Sequence, residues 1–302
     1  MISICIPVYN TNISELVKEL AYQMERIRVE SELILIDDGS QTSFKNTNRA
    51  IGENHQYIEL PKNIGRSAIR NLFLTYAQYN HLLFLDGDVR LTDLFFLQNY
   101  VNALQAQPTV KVWCGGRVYV KFAPKEKEYF LHWKYRSTRE PKPAHLRKQD
   151  PYINFMTNNF LIHRTVFDKV KFDTSIKNYG HEDTFFALNL KKQEVPISHL
   201  ENPVLNPDVL DVKVFLDRTE QAVANLRSIL EHLPQEDQSL FITHVRLLRV
   251  YKKLQPIRFV SMVLSKVVTP VLKYIMIKGY LGNSLYLLDL YKLCLLYKMN
   301  TH

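Results

Sequence analysis

With 302 residues, 46% of them hydrophobic, the chain has the size and apolar content of one large α/β domain with an appendage, and this excludes a disordered polypeptide. The formal charge of +9 sits at one end: residues 244–302 hold ten Lys/Arg and one acid, Asp289, so residues 1–243 are neutral. A neutral body without a nucleic-acid motif argues against nucleic acid as a partner, and the widely spaced Cys5, Cys114 and Cys294 make neither a disulfide framework nor a metal-ligand pair, which suits a reducing cytoplasm.

In chain order, Met1 to Pro7 has no basic region and no long apolar core, so it reads as a strand over Ile2–Ile6 and not as a signal peptide. Ile13, Leu16, Val17, Leu20 and Met24 recur at helical spacing, with Asn12 or Ser14 as cap. A buried strand from Glu32 to Ile36 follows, then a strand over Tyr57–Leu60, a helix over Ile64–Tyr79 behind Asn63, and a strand over His81–Leu85. Continuous apolar strands alternating with helices predict an α/β fold with a mostly parallel sheet covered on both faces. Leu94–Ala106 reads as helix and Val110–Phe122 as extended chain kinked at Gly115-Gly116. The stretch Lys121–Asp150 is polar, basic and proline-dotted, which predicts a loop with one short helix; loops of this length are usually functional. Phe160–His163, Pro196–His199 and Pro203–Leu205 read as short strands and His181–Lys192 as a helix; from Asp211 onward the pattern is helical. The division this predicts is a body over residues 1–210 and a helical region over 211–302, basic and amphipathic from 244.

In parallel sheets ligands gather at the carboxyl ends of the strands, and four polar segments fall at such ends or at helix starts. Asp86-Gly87-Asp88 closes the strand His81–Leu85. Carboxylates at i and i+2 around a glycine leave room for a phosphate and a divalent cation, and hard oxygen ligands suit magnesium or manganese. Asp37-Asp38-Gly39-Ser40 closes another strand, where a carboxylate can accept from a base N–H or a ribose hydroxyl. Asn63-Ile64-Gly65-Arg66 through Arg70-Asn71 opens a helix, and helix N-termini favour anions. Gly180-His181-Glu182-Asp183 opens another; Asp183 is a candidate general base there. Each segment taken alone also reads as an ordinary acidic turn or solvated helix start.

Together, Ser3 through Asn10, Ile36 through Ser40, Asn63 through Asn71, Leu85 through Asp88 and Gly180 through Asp183 resemble glycosyltransferase family 2 in order and spacing, over roughly residues 1–210. The resemblance implies a GT-A fold in that catalytic domain and an inverting, metal-assisted transfer of sugar from a nucleoside diphosphate donor, a UDP-sugar by family habit. It implies that Pro7, Tyr9, Asp37, Asp38, Asn63, Arg70 and Asp86 serve the nucleotide, with Arg70 approaching the diphosphate. Asp88 and Asp86 would hold Mg2+ or Mn2+. Asp183 would be the base and Glu182 would orient the acceptor. Trp133, Arg139, Asn158, Asn159 and His181 would flank donor sugar and acceptor. Many members complete the metal site with a histidine; Asn206 stands at that position here, and its amide oxygen is acceptable to magnesium. His199 is an alternative ligand.

In the tail, Arg246, Arg249 and Lys253 share one helical face, opposite Leu247, Leu248 and Tyr251. Phe259–Ile277 is apolar but contains Lys266, Pro270 and Lys273, which argue against a spanning helix, and Leu285–Met299 is shorter than a span of roughly 20 residues. A basic, aliphatic, tyrosine-rich stretch fits an interfacial helix pair on an anionic leaflet, and equally a helical cap packed on the rest of the protein. The expected protein is a cytoplasmic, peripheral enzyme of envelope or surface polysaccharide synthesis, acting on a glycan or lipid-linked acceptor. An idle nucleotide-sugar-binding partner subunit and a basic membrane- or nucleic-acid-binding module are the competing readings.

Overall fold

The computed structural model describes residues 1–298 apart from 53, 177, 178, 281 and 282. Strands are β1 (Ile2–Val8), β2 (Ser31–Asp37), β3 (Gln56–Glu59), β4 (His81–Leu85), β5 (Arg90–Leu91), β6 (Val112–Cys114), β7 (Arg117–Tyr119), β8 (Asn159–His163), β9 (Ile197–His199) and β10 (Val204–Asn206). Helices are α1 (Ser14–Met24), α2 (Thr42–Gly52), α3 (Arg66–Tyr76), α4 (Phe96–Ala106), α5 (Lys127–Arg139), α6 (Ala144–Arg147), α7 (Arg164–Phe167), α8 (Glu182–Lys192), α9 (Val212–His232), α10 (Gln235–His244), α11 (Arg246–Lys253), α12 (Arg258–Ile277) and α13 (Leu285–Lys298). They form two compact units, one of Met1–Tyr119, Pro141–Lys177 and Glu182–Asp208, the other of Val120–Glu140, Asn178–His181 and Val209–His302.

In the first unit a sheet runs β3-β2-β1-β4-β8-β6-β9. Its ladders are parallel except the two made by β8, which runs against β4 and β6. Because side chains alternate across a strand, each apolar run feeds two cores. Ile2, Ile4, Ile6 and Val8 with Leu33, Leu35, Leu83 and Leu85 pack under Leu16, Val17 and Leu20 of α1 and Leu97 and Tyr100 of α4. Cys5, Ile34, Ile36, Leu82, Phe84 and Phe160 pack on the other face with Ile69 and Phe73 of α3 and Phe186 and Leu190 of α8. Both faces being covered, polar residues have no solvent side to occupy, which is why these strands read as unbroken apolar runs. A three-stranded sheet, β5-β10-β7, stands beside the first.

Helix α2 carries no apolar period in the sequence. Its inward anchor is an asparagine: Asn48, with no exposed surface, accepts from the N–H of Ile13 (3.2 Å) and donates to the carbonyl of Thr11 (2.9 Å). Of the two expected caps of α1, Asn12 and Ser14, neither holds the N-cap position, which is Ile13; Asn12 Oδ1 accepts from the N–H of Ser14 at 2.9 Å just before it.

The second unit is helical. The stretch expected to be a loop with a short helix contains the 13-residue α5. Its apolar stripe is narrow: Leu131 and His132 are buried, and the rings of His132 and Tyr135 pack tilted against Phe215 of α9, centroids 4.7 and 5.5 Å apart. Glu128 in its first turn and Arg136 and Arg139 in its last complement the helix dipole. Asp211 caps α9, its carboxylate accepting from the N–H of Lys213 at 2.7 Å. Pro270 lies inside α12 without ending it. Residues 255–277 form a helical run long and apolar enough to cross a membrane by length and composition, with mean hydropathy 1.6. In α13, Leu288, Tyr291, Leu295, Leu296 and Tyr297 are buried; Met299, the expected last residue of this helix, lies outside the described residues.

Candidate active site

Strand register gathers most of the first unit's candidate residues on one sheet edge. Val8 pairs with Asp37, Asp37 with Glu59, and Cys5 with Phe84, so β1, β2, β3 and β4 end together. Strand β8 runs the other way and starts at that edge, Asn159 opposite Leu85, so Asn158 lies beside Asp86, whose N–H donates to the Asn158 carbonyl at 3.2 Å. Gly87 folds against the loop after β1: a Cβ there would lie 3.3 Å from the Pro7 carbonyl and 3.1 Å from the Thr11 side chain. Tyr9 is 53% exposed on this edge, and Asn63 is exposed too.

Asp37 and Asp38, expected beside the nucleotide, brace the backbone at this edge. Asp37 is fully buried; its carboxylate accepts from the N–H of Ser40 at 2.7 Å and from the Tyr57 hydroxyl at 3.4 Å. Asp38 accepts from the N–H groups of Ile64 (2.7 Å) and Gly65 (3.2 Å) and so ties β2 to the start of α3. Burial raises its pKa, and those two N–H bonds offset part of the rise. Gly39 makes the tie feasible: it has φ +74°, and a Cβ would meet the backbone of Lys62 and Asn63 at 2.7 Å.

Arg70, expected near the diphosphate, pairs with Asp86. It is 2% exposed and donates to Asp86 at 2.8 Å, while the Arg70 guanidinium also reaches the Arg66 carbonyl at 3.3 Å. Four residues after Arg66, the helix places this side chain on its buried side, against Asp86. It therefore orients Asp86. Beside it, Ser67 Oγ and Arg70 Nε are buried with no protein hydrogen-bond partner, and so are both amide atoms of Asn158. A buried amide without partners costs free energy unless a ligand or water satisfies it, so Asn158 is available to a bound molecule.

The acidic pair opens α8. Glu182, 7% exposed, lies 3.6 Å from the Arg66 guanidinium, which brings the start of α8 to the start of α3. Asp183 accepts from the N–H of Thr184 at 2.6 Å. Burial first, and then the neighbouring Glu182 carboxylate, push its pKa up from 3.8 to about 6, against the pull of Arg117 and the Thr184 bonds. A carboxylate held near 6 is a competent proton acceptor close to neutral pH.

The second sheet positions Asp88 and Asn206. Leu205 pairs with Arg90 and Val204 with Leu91 in antiparallel register, so the ladder points Asn206 toward Val89, next to Asp88. Among the described residues no group of three His, Cys, Asp or Glu is arranged to hold a metal. That does not count against magnesium, which is commonly held by one or two carboxylates with water and substrate phosphates completing the shell. Asp86, Asp88 and Asn206 are a hard-oxygen set that fits such an ion. His199 does not belong to it: buried to 1%, it accepts from Arg147 through Nδ1 (2.8 Å) and donates through Nε2 to the Pro151 carbonyl (2.9 Å). Burial lowers its pKa to about 4, so it is a neutral structural residue.

Asn159 has no exposed surface; it accepts from the Tyr100 hydroxyl (2.7 Å) and donates both amide hydrogens, to the carbonyls of Gly116 (2.9 Å) and Asn202 (2.8 Å). Trp133, Arg139 and His181 fall in the second unit. There the Trp133 indole donates to the Val120 carbonyl at 3.0 Å, and Arg139 pairs with Asp289 of α13 at 3.0 Å. His181 has φ +69° directly after Gly180 at +94°, an uncommon left-handed pair preceding α8. Arg66 and Arg117 were not singled out by the sequence. Arg66 carries only the signal of a helix start, and Arg117, in the three-residue edge strand β7, carries none.

The family model described as Glycosyl transferase family 2 matches residues 3–171. No curated protein matches. Among solved structures, the mannosyltransferase PcManGT from Pyrobaculum calidifontis, in complex with GDP-Man and Mn2+, is similar at TM-score 0.61 and 14% identity, covering 99% of this chain and 86% of that one. S. aureus TarS 1-349 in complex with UDP is similar at TM-score 0.51 and 17% identity, covering 85% of each chain. Against the longer S. aureus TarS structure the TM-score is 0.53 at 16% identity, and the match spans 80% of this chain but 42% of that one.

Proposed function

The chain belongs to glycosyltransferase family 2, and from that premise we propose that it moves a sugar from a nucleoside diphosphate donor, a UDP-sugar, to an acceptor hydroxyl with inversion. The observation that carries this reading is the Arg66–Glu182 ion pair, which joins the start of α8, with Asp183, to the start of α3, itself bound to Asp38. Acidic groups far apart in sequence thereby share one neighbourhood.

In this reading Asp183 accepts the proton of the attacking hydroxyl as that oxygen bonds to the anomeric carbon and the bond to the diphosphate breaks. Glu182, held by Arg66, keeps the first turn of α8 in place and raises the basicity of Asp183. Asp86, oriented by Arg70, and Asp88 with Asn206 would hold Mg2+ or Mn2+. What the bound ion supplies is neutralisation of the charge developing on the departing diphosphate. Pro7, Tyr9 and Asn63 line the exposed rim where a nucleotide would lie, and the Asn158 amide finds its partners on the substrate. Division at residue 210, a cytoplasmic setting and a glycan or lipid-linked acceptor of envelope or surface polysaccharide synthesis complete the proposal. All three cysteines are free and buried, consistent with that setting.

The pH profile of transfer follows from Asp183. Its pKa is raised, so the protonated, inactive form persists up to about pH 6, and activity is expected to climb through that value. A rate–pH titration with its acid limb near the ordinary value of 3.8 contradicts the assignment. The reading as a whole is tested by a screen of UDP-, GDP- and dTDP-sugars with magnesium or manganese, following release of the nucleoside diphosphate. Turnover of one donor is expected; a folded protein that binds UDP and turns over none is an idle relative.

A further inference from the structure

We propose that α12 lies flat on an anionic lipid leaflet, its outward face immersed among the acyl chains. This deepens the cytoplasmic, envelope-directed reading above and rests on it for location only. Val260, Val263, Leu264, Val267, Val271 and Tyr274 recur every third or fourth residue along one face of α12, each between 50% and 67% exposed. The opposite face, with Ser265, Thr269, Leu272 and Met276, is buried. A helix of 20 residues is about 30 Å long, and a continuous apolar ridge of that length is more than the scattered exposed hydrophobics of an ordinary surface.

The charge around the ridge selects its occupant. Arg246, Arg249, Lys252, Lys253 and Arg258 precede it and Lys278 follows it, and no acid occurs between residues 246 and 288. A second copy pairing through this face would bring like charges together. An anionic leaflet is complementary, and each basic residue near such a surface adds to the attraction. Spanning is disfavoured by Lys273, which donates to Asp217 at 3.0 Å and Glu220 at 2.7 Å on α9; a membrane-crossing α12 would have to break this cluster or drag its carboxylates into hydrocarbon. The same contact turns the lysine away from the ridge. Of the expected interfacial helix pair, α12 carries the longer outward apolar face: on α13 Leu288, Tyr291, Leu295 and Leu296 are buried, and Tyr286 and Leu290 are exposed.

The test is sedimentation of the full chain with vesicles of phosphatidylcholine alone or phosphatidylcholine and phosphatidylglycerol in equal parts, at low and high salt. The unmodified protein is expected to bind only the anionic vesicles, reversibly with salt. Val267→Asp and Val271→Asp, both at exposed positions, are each expected to weaken binding about tenfold. Circular dichroism and donor turnover in solution report separately whether the variants fold and whether the transfer reading holds. Absence of binding, binding unchanged in both variants, binding that resists high salt, or a solution dimer that the variants dissociate would each overturn the proposal.

Discussion

Asp183→Asn lowers sugar transfer by about 10²- to 10⁴-fold, the usual contribution of a positioned general base, and leaves donor binding unchanged. The asparagine keeps the shape and still accepts from the Thr184 N–H, which the aspartate receives at 2.6 Å. What it loses is the capacity to take a proton. Removing the charge also relieves Glu182 of a like neighbour, so α8 should be no less stable, and thermal melting separates a catalytic loss from an unfolded protein. Loss of donor affinity equal to that of the metal-site variant described next would contradict the role given to Asp183.

Asp88→Asn, by contrast, abolishes the metal dependence of donor binding. Even changes in groups that only orient a metal's ligands cost about 10- to 100-fold in metal affinity, and loss of a carboxylate ligand is expected to cost at least that. Binding of UDP measured calorimetrically with manganese should then fall to the level seen with chelator, in the variant alone. Exposed on the turn after β4, Asp88 has no part in the cores on either side of the sheet, so the fold should survive. A variant that retains metal-dependent binding would move the cation to other residues.

The fold was legible where two-sided burial imposes continuous apolar strands: β4 spans the expected His81–Leu85, and β1 and β2 extend the expected runs by a residue or two. It was illegible where a polar residue does the packing, as with Asn48 in α2, or where a helix contacts its neighbour through a narrow stripe, as in α5. The antiparallel β8 has the same apolar composition as its parallel neighbours, so direction left no trace in the residues. At the site, the sequence located the acidic segments because carboxylates and glycines at strand ends are conspicuous. It could not say which carboxylates face a ligand and which brace the backbone. The bracing contacts of Asp37, Asp38 and Asn159 and the Arg70–Asp86 pair depend on loops and helices that meet only after folding. The short second sheet, which pairs Leu205 with Arg90, has strands too brief to announce themselves.

The proposed role of Asp86, Asp88 and Asn206 in holding a cation-bound diphosphate is most directly tested by crystals grown with UDP and Mn2+ and measured for manganese anomalous scattering. An anomalous peak against Asp88, with diphosphate density beside it at the β4 end of the sheet, is the expected outcome. A nucleotide bound elsewhere, or manganese held by none of the three, contradicts it.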